Sequence, residues 1–133
     1  MMLGADLFPR ASRRRHDEED LQRAVVQFLR WALPHNATFN AIPLGGLRHK
    51  RAAQRLVGLG TRAGWPDLEI VWHGHPPIFI ELKTATGRLS MVQKQEIQKL
   101  THCGAVVMIC RSLAEVEQGL RDCGMRLSAS VAA

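Results

Sequence analysis

Apolar residues recur along this chain with two distinct periods, and the switches between them mark out eight elements. Over residues 17–32, Leu21, Ala24, Val25, Phe28, Leu29 and Ala32 fall on one stripe at helical spacing, which predicts an amphipathic helix. Acidic residues fill its first turn, where they suit the helix dipole, and Pro34 closes it. A short strand is predicted over residues 37–42, ended by Pro43. Gly45 and Gly46 form a flexible turn ahead of a basic helix over residues 47–57, and residues 58–66 form a glycine-rich loop. Residues 68–72 and 78–83 have strand character and flank His73-Gly74-His75-Pro76-Pro77, which is a hairpin pattern. Ser90 caps a polar helix over residues 90–103. The unbroken apolar run at residues 105–110 (AVVMIC) predicts a strand buried on both faces. Ser112 caps a last helix to residue 121, and residues 128–133 are expected to fray. This order predicts an α/β fold, a mixed central sheet of about four strands with helices on both faces. Residues 1–15, which lack periodicity, are expected to be a mobile basic arm, with the domain over residues 16–122 and a tail over 123–133.

Composition narrows the class. With 46% hydrophobic and 23% charged residues in 133, the chain can bury one core and is not of disordered type. No apolar run approaches the ~20 residues that span a bilayer. The first twenty residues contain no apolar stretch before a small-residue cleavage site, so no signal peptide is expected. Three cysteines without CxxC spacing point to reduced thiols, hence a cytoplasmic, nucleic-acid-associated protein. A formal net charge of +6 favours a polyanionic partner. Basic residues concentrate at residues 10–15 and 48–62, whereas Asp67, Glu69 and Glu81 stand singly. Arg48, Lys50, Arg51, Arg55, Arg62 and Arg88 are therefore candidate phosphate contacts.

The isolated carboxylates carry the chemistry. Along residues 78–83, Phe79, Glu81 and Lys83 share one face of a strand. If the hairpin pairs symmetrically about His75, Asp67 lies opposite Lys83 and Glu69 opposite Glu81, with Cβ atoms about 4.5–5.5 Å apart. Like charges gathered this way are costly to bury unless a cation joins them. Hard oxygen ligands suit Mg²⁺ or Mn²⁺.

Gly64-Trp65-Pro66-Asp67 followed by Ile80-Glu81-Leu82-Lys83 resembles the PD-(D/E)XK motif of restriction-endonuclease-like nucleases. With Glu18 four residues before Gln22, and Ser90-Met91-Val92-Gln93 at a helix start, the pattern is similar to the VRR-NUC branch of that superfamily. The resemblance runs from about residue 18 to residue 120. It implies an α/β/α restriction-endonuclease-like core and Mg²⁺- or Mn²⁺-dependent cleavage of DNA. It further implies that Asp67, Glu81 and the Leu82 carbonyl hold the metal. Lys83 would position the attacking water, and Gln93 would orient substrate or Lys83. Glu18, rather than Glu19, is the first-helix acid and a further metal ligand in that pattern, since it lies three residues before Leu21 and seven before Val25 on the apolar stripe. Glu69 departs from the family, which is usually apolar there, and is either a further ligand or turned to solvent. Stand-alone members of this size resemble phage and bacterial homodimers that cut branched DNA such as Holliday junctions. Trp31 and Phe39 are candidates for the dimer interface.

Other readings are weaker. The glycines at 58, 60 and 64 follow a helix and open a strand, the reverse of a nucleotide-binding loop. His73 and His75 read as a polar turn rather than a metal site. A DNA-binding module that keeps the fold without activity, or a nuclease without structure selectivity, is the remaining alternative.

Overall fold

The structure, a computed structural model, describes residues 10–42 and 50–131. Its elements follow the predicted order: α1 (Arg10–Ala32), β1 (Ala37–Ala41), α2 (Lys50–Gly58), β2 (Leu68–Trp72), β3 (Ile78–Leu82), α3 (Met91–His102), β4 (Val106–Cys110) and α4 (Leu113–Asp122). Pro43, the Gly45-Gly46 turn and Arg48 lie outside the described residues.

The four strands form one sheet in the order β1-β2-β3-β4. The first two pairings are antiparallel, and β4 runs parallel to β3, which requires a crossover that α3 supplies. Val25, Phe28, Leu29 and Ala32 of α1 and Val116 and Leu120 of α4 pack with Leu68, Ile70, Ile78, Ile80 and Leu82 of the central strands. On the alternate face of β3, Phe79 and Trp65 meet at right angles, with ring centroids 5.3 Å apart. No helix among the described residues is long and apolar enough to cross a membrane.

Several expectations are corrected. Helix α1 begins at Arg10, so residues 10–15 extend the helix and the acids at 17–20 fall inside it. Arginine is a good helix former, and a helix that extends beyond its apolar stripe carries no periodic signal. Ala24, placed on that stripe, is exposed. Among the described residues strand β4 pairs on one side only, which makes it an edge, and Ile109 is 42% exposed. The tail, expected to fray over 128–133, is held as far as it is described, to Val131: Met125 is buried, the Ser128 N–H donates to the Ala32 carbonyl at 2.9 Å, and the Val131 N–H donates to the Glu117 carboxylate at 2.9 Å. The end of α1 needs such partners for its last carbonyls.

The hairpin is also tighter than expected. Leu68 pairs with Ile80 and Ile70 with Ile78, which centres it on Gly74 rather than His75. Gly74 supplies the left-handed residue, at φ +72, of a turn closed by the His75 N–H on the Trp72 carbonyl at 3.2 Å. The two-residue shift leaves every side chain on its predicted face. The His75 ring lies 4.8 Å from Trp72, consistent with a packed turn tip.

Candidate active site

Asp67 immediately precedes β2, and continuing the register one step beyond Leu68–Ile80 sets it across from Glu81. The carboxylate of Asp67 accepts the Leu82 N–H at 2.8 Å, and its carbonyl accepts the Ile42 N–H at 3.0 Å. Both ends of the residue are therefore fixed. Glu81 is only 2% exposed. Its Oε1 accepts from Gln93 Nε2 at 2.9 Å. The other side of that amide belongs to a capping box, in which Gln93 Oε1 accepts the Ser90 N–H at 2.9 Å and Ser90 Oγ accepts the Gln93 N–H at 3.1 Å. The residue that starts α3 thus also aims Glu81.

Lys83, 8% exposed, brings its Nζ to 3.6 Å from Glu81 Oε1 and 3.9 Å from Glu18 Oε1. Glu18 also abuts Gly87, where an added Cβ would lie 3.5 Å from its Oε1. Sequence reading therefore brought Glu18, Asp67, Glu81, Lys83 and Gln93 to one place, with Gln93 on Glu81 rather than on Lys83. Burial is the main cause that raises the Asp67 carboxyl above its ordinary range, offset by the Leu82 N–H. Burial, then the charge of Asp67, pushes Glu81 up to about 8, with Lys83 opposing. Neither carboxylate is comfortable as an anion so close to the other, and that is the electrostatic condition a cation relieves. Among the described residues, no three His, Cys, Asp or Glu side chains converge to hold an ion by themselves. Asp67 and Glu81 supply two carboxylates, and Glu18, 3.9 Å from Lys83, adds its charge to both.

The loop before Asp67 is held by backbone geometry. Gly64 has φ +80, and an added Cβ would fall 2.7 Å from the Val92 carbonyl oxygen and 2.8 Å from Val92 Cγ1. Gly64→Ala is expected to cost roughly 2–4 kcal/mol through positive-φ strain and overpacking, read from the midpoint of urea unfolding. An unchanged midpoint would show that this loop does not depend on the close approach.

The basic candidates divide. Lys50, Arg51 and Arg55 are exposed on α2, which has no buried residue, and Arg88 is exposed just beyond Gly87. Arg62 is different, because it already has an acidic partner within the protein. Its Nε lies 3.0 Å from both Glu96 carboxylate oxygens, and its Nη2 donates to Oε1 at 2.6 Å. Glu96 is 6% exposed, so Arg62 neutralises a buried acid and straps the loop to α3. Glu69 is half-buried opposite Phe79 and Asn40, and its side chain has no hydrogen bond or ion pair among the described residues.

Sequence reading missed Arg111. Its Nη1 donates to the carbonyls of Thr84 at 2.6 Å and Gly87 at 2.7 Å. The signal was topological: β3 and β4 run parallel, so their C-terminal ends share one edge and Arg111 emerges beside the residues that follow Lys83.

The model of the VRR-NUC domain matches residues 12–114, most of the chain. A solved structure titled "VRR_NUC domain protein" superposes with a TM-score of 0.57 at 21% sequence identity, covering 80% of this chain and 86% of that one. At that identity the likeness concerns the fold, an α/β sheet flanked by helices. No curated protein matches. The matched span takes in all five residues gathered at the site, and the chain belongs to the VRR-NUC domain family of DNA-acting nucleases.

Proposed function

We propose that this protein is a Mg²⁺- or Mn²⁺-dependent DNA endonuclease that hydrolyses phosphodiester bonds, acting as a homodimer with preference for branched DNA such as four-way junctions. The observation that carries the reading is the buried Asp67–Glu81 pair, held by the Leu82 N–H and by Gln93, with Lys83 alongside. Asp67, Glu81 and the main-chain carbonyl of Leu82 would hold the metal, with Glu18, 3.9 Å from Lys83, as the first-helix acid available to complete the ligand set. Bound there, the ion neutralises phosphate charge and lowers the pKa of water. Lys83 positions the attacking water and offsets negative charge on the phosphorane-like transition state. Gln93 and the Leu82 N–H keep the two carboxylates aimed without solvent reorganisation. The exposed Lys50, Arg51 and Arg55 of α2 supply phosphate contacts.

Preference for branched DNA and dimerisation are supported by family likeness and basic charge. Two sites about a two-fold axis suit paired cuts at a junction. Trp31, 73% exposed on α1, offers an interface residue, whereas Phe39 packs against the core. The test is a labelled four-way junction beside a matched linear duplex, with Mg²⁺, Mn²⁺ or chelator. Metal-dependent cutting of the junction, with the duplex cut more slowly, is expected. Equal cutting of both removes structure selectivity, and binding without cutting under either metal leaves the silent DNA-binding module.

A further inference from the structure

We infer that Arg111, with Arg88 beside it, forms a phosphate-binding site that grips the DNA backbone at the edge of the catalytic centre. The inference rests on the proposed action on DNA and names a contact that function requires. Arg111 follows Cys110, the last residue of β4, and its main-chain N–H donates to the Glu115 carboxylate. Its side chain reaches across to residues 84–87, where Nη1 sits on two main-chain carbonyls at 2.6 and 2.7 Å. That turn is itself closed, with the Gly87 N–H donating to Thr84 Oγ1 at 3.0 Å. It leads directly out of Lys83, and Glu18 stands against Gly87.

Charge distinguishes this arginine from others held in place. Arg23, Arg62 and Arg121 each lie within 4.0 Å of a carboxylate, which cancels their charge. Arg111 is fixed by neutral carbonyls, and among the described residues no carboxylate comes within 4.0 Å of its guanidinium. A guanidinium has five N–H donors, so two carbonyls on one nitrogen leave donors for an oxyanion. Arg111 is exposed, as is Arg88 one residue beyond Gly87. A cation already immobilised in a planar, forked form loses little entropy on gripping a phosphate, and Arg88, exposed one residue beyond Gly87, adds a second positive charge at that turn.

Binding in chelator, where no cleavage occurs, tests this directly. Fluorescence anisotropy of a labelled duplex and junction would be followed against salt for the wild type, Arg111→Gln, Arg111→Lys and Arg88→Ala. Glutamine removes the charge while keeping a polar side chain, whereas lysine keeps the charge. Arg111→Gln is expected to weaken binding several-fold and reduce the slope of log K against log salt by about 0.9, the value of one phosphate contact. Arg111→Lys should retain the slope, and Arg88→Ala should lose a similar increment. If Arg111→Gln keeps the wild-type affinity and slope, Arg111 is only a staple for the turn and the inference falls, whether or not the wild type cuts DNA. If the loss appears but the wild type cuts nothing in Mg²⁺ or Mn²⁺, the phosphate site stands and the catalytic reading fails. A wild type that does not bind DNA overturns both.

Discussion

Asp67→Asn and Glu81→Gln will each lower metal-dependent DNA cleavage by about 10²–10³-fold or more without unfolding the protein. Each substitution keeps the shape and removes a ligand charge, and a metal or preorganised donor at a phosphoryl centre is worth several kcal/mol of transition-state stabilisation. Stability is expected to hold or rise, because the two carboxylates oppose one another and burial raises the pKa of both. Lys83→Met will cause a similar loss of cleavage but a different stability change. It removes the cation 3.6 Å from Glu81 and 3.9 Å from Glu18, and so lowers the thermal midpoint in the absence of metal. Single-turnover rates on a junction substrate, paired with thermal unfolding of each variant, separate the cases. Cleavage at the wild-type rate by Glu81→Gln would remove this site from the chemistry.

These residues could be found without coordinates because each carries a pattern that local physics fixes. Strand alternation puts Glu81 and Lys83 on one face whatever the register, and a slip of two residues in the hairpin cannot undo that. Ser90 reads as an N-cap from sequence and the family resemblance singles out Gln93, whose amide reaches Glu81 from the first turn of α3. What escaped depends on partners distant in sequence. Arg62 reads as one basic residue among several until Glu96, 34 residues on, takes up its fork. Arg111 ends an apolar run and carries no motif, and only the parallel pairing of β3 with β4 brings it to residues 84–87. The unbroken apolar run of β4 suggested a central strand, but α3 and α4 both lean on an edge strand and shield it in part. Residues 10–15 escaped for a different reason: their sequence, RASRRR, carries no apolar period.

The same buried pair predicts a pH dependence that metal should reverse. Glu81 stands at about 8 in the folded protein against an ordinary 4.5, so between those values the folded protein holds a proton that the unfolded chain has released. Stability must therefore fall as pH rises from about 4.5 to 8, since the folded state binds more protons across that window. On the acid side the sign is opposite. Glu96, bonded to Arg62, and Glu117, bonded to the Val131 N–H and Arg121, are held below the ordinary carboxylate range. Their stabilisation is present above about 4.5 and is lost as pH falls through their lower folded values. The metal-free thermal midpoint should accordingly peak near the bottom of the Glu81 window. Mn²⁺ or Mg²⁺ must displace the Glu81 proton to bind, so its effect grows with pH. At 100 times Kd a ligand specific to the folded state adds about 2.7 kcal/mol, roughly 8 °C or more for a domain of this size. The expected shift is larger at pH 8 than at pH 6, and Glu81→Gln should both flatten the metal-free decline and abolish the metal response. Thermal scans of the two proteins from pH 5 to 8, with metal and with chelator, decide the matter. A wild-type profile that stays level across that range and ignores both ions would mean that Asp67 and Glu81 are not a metal-binding pair.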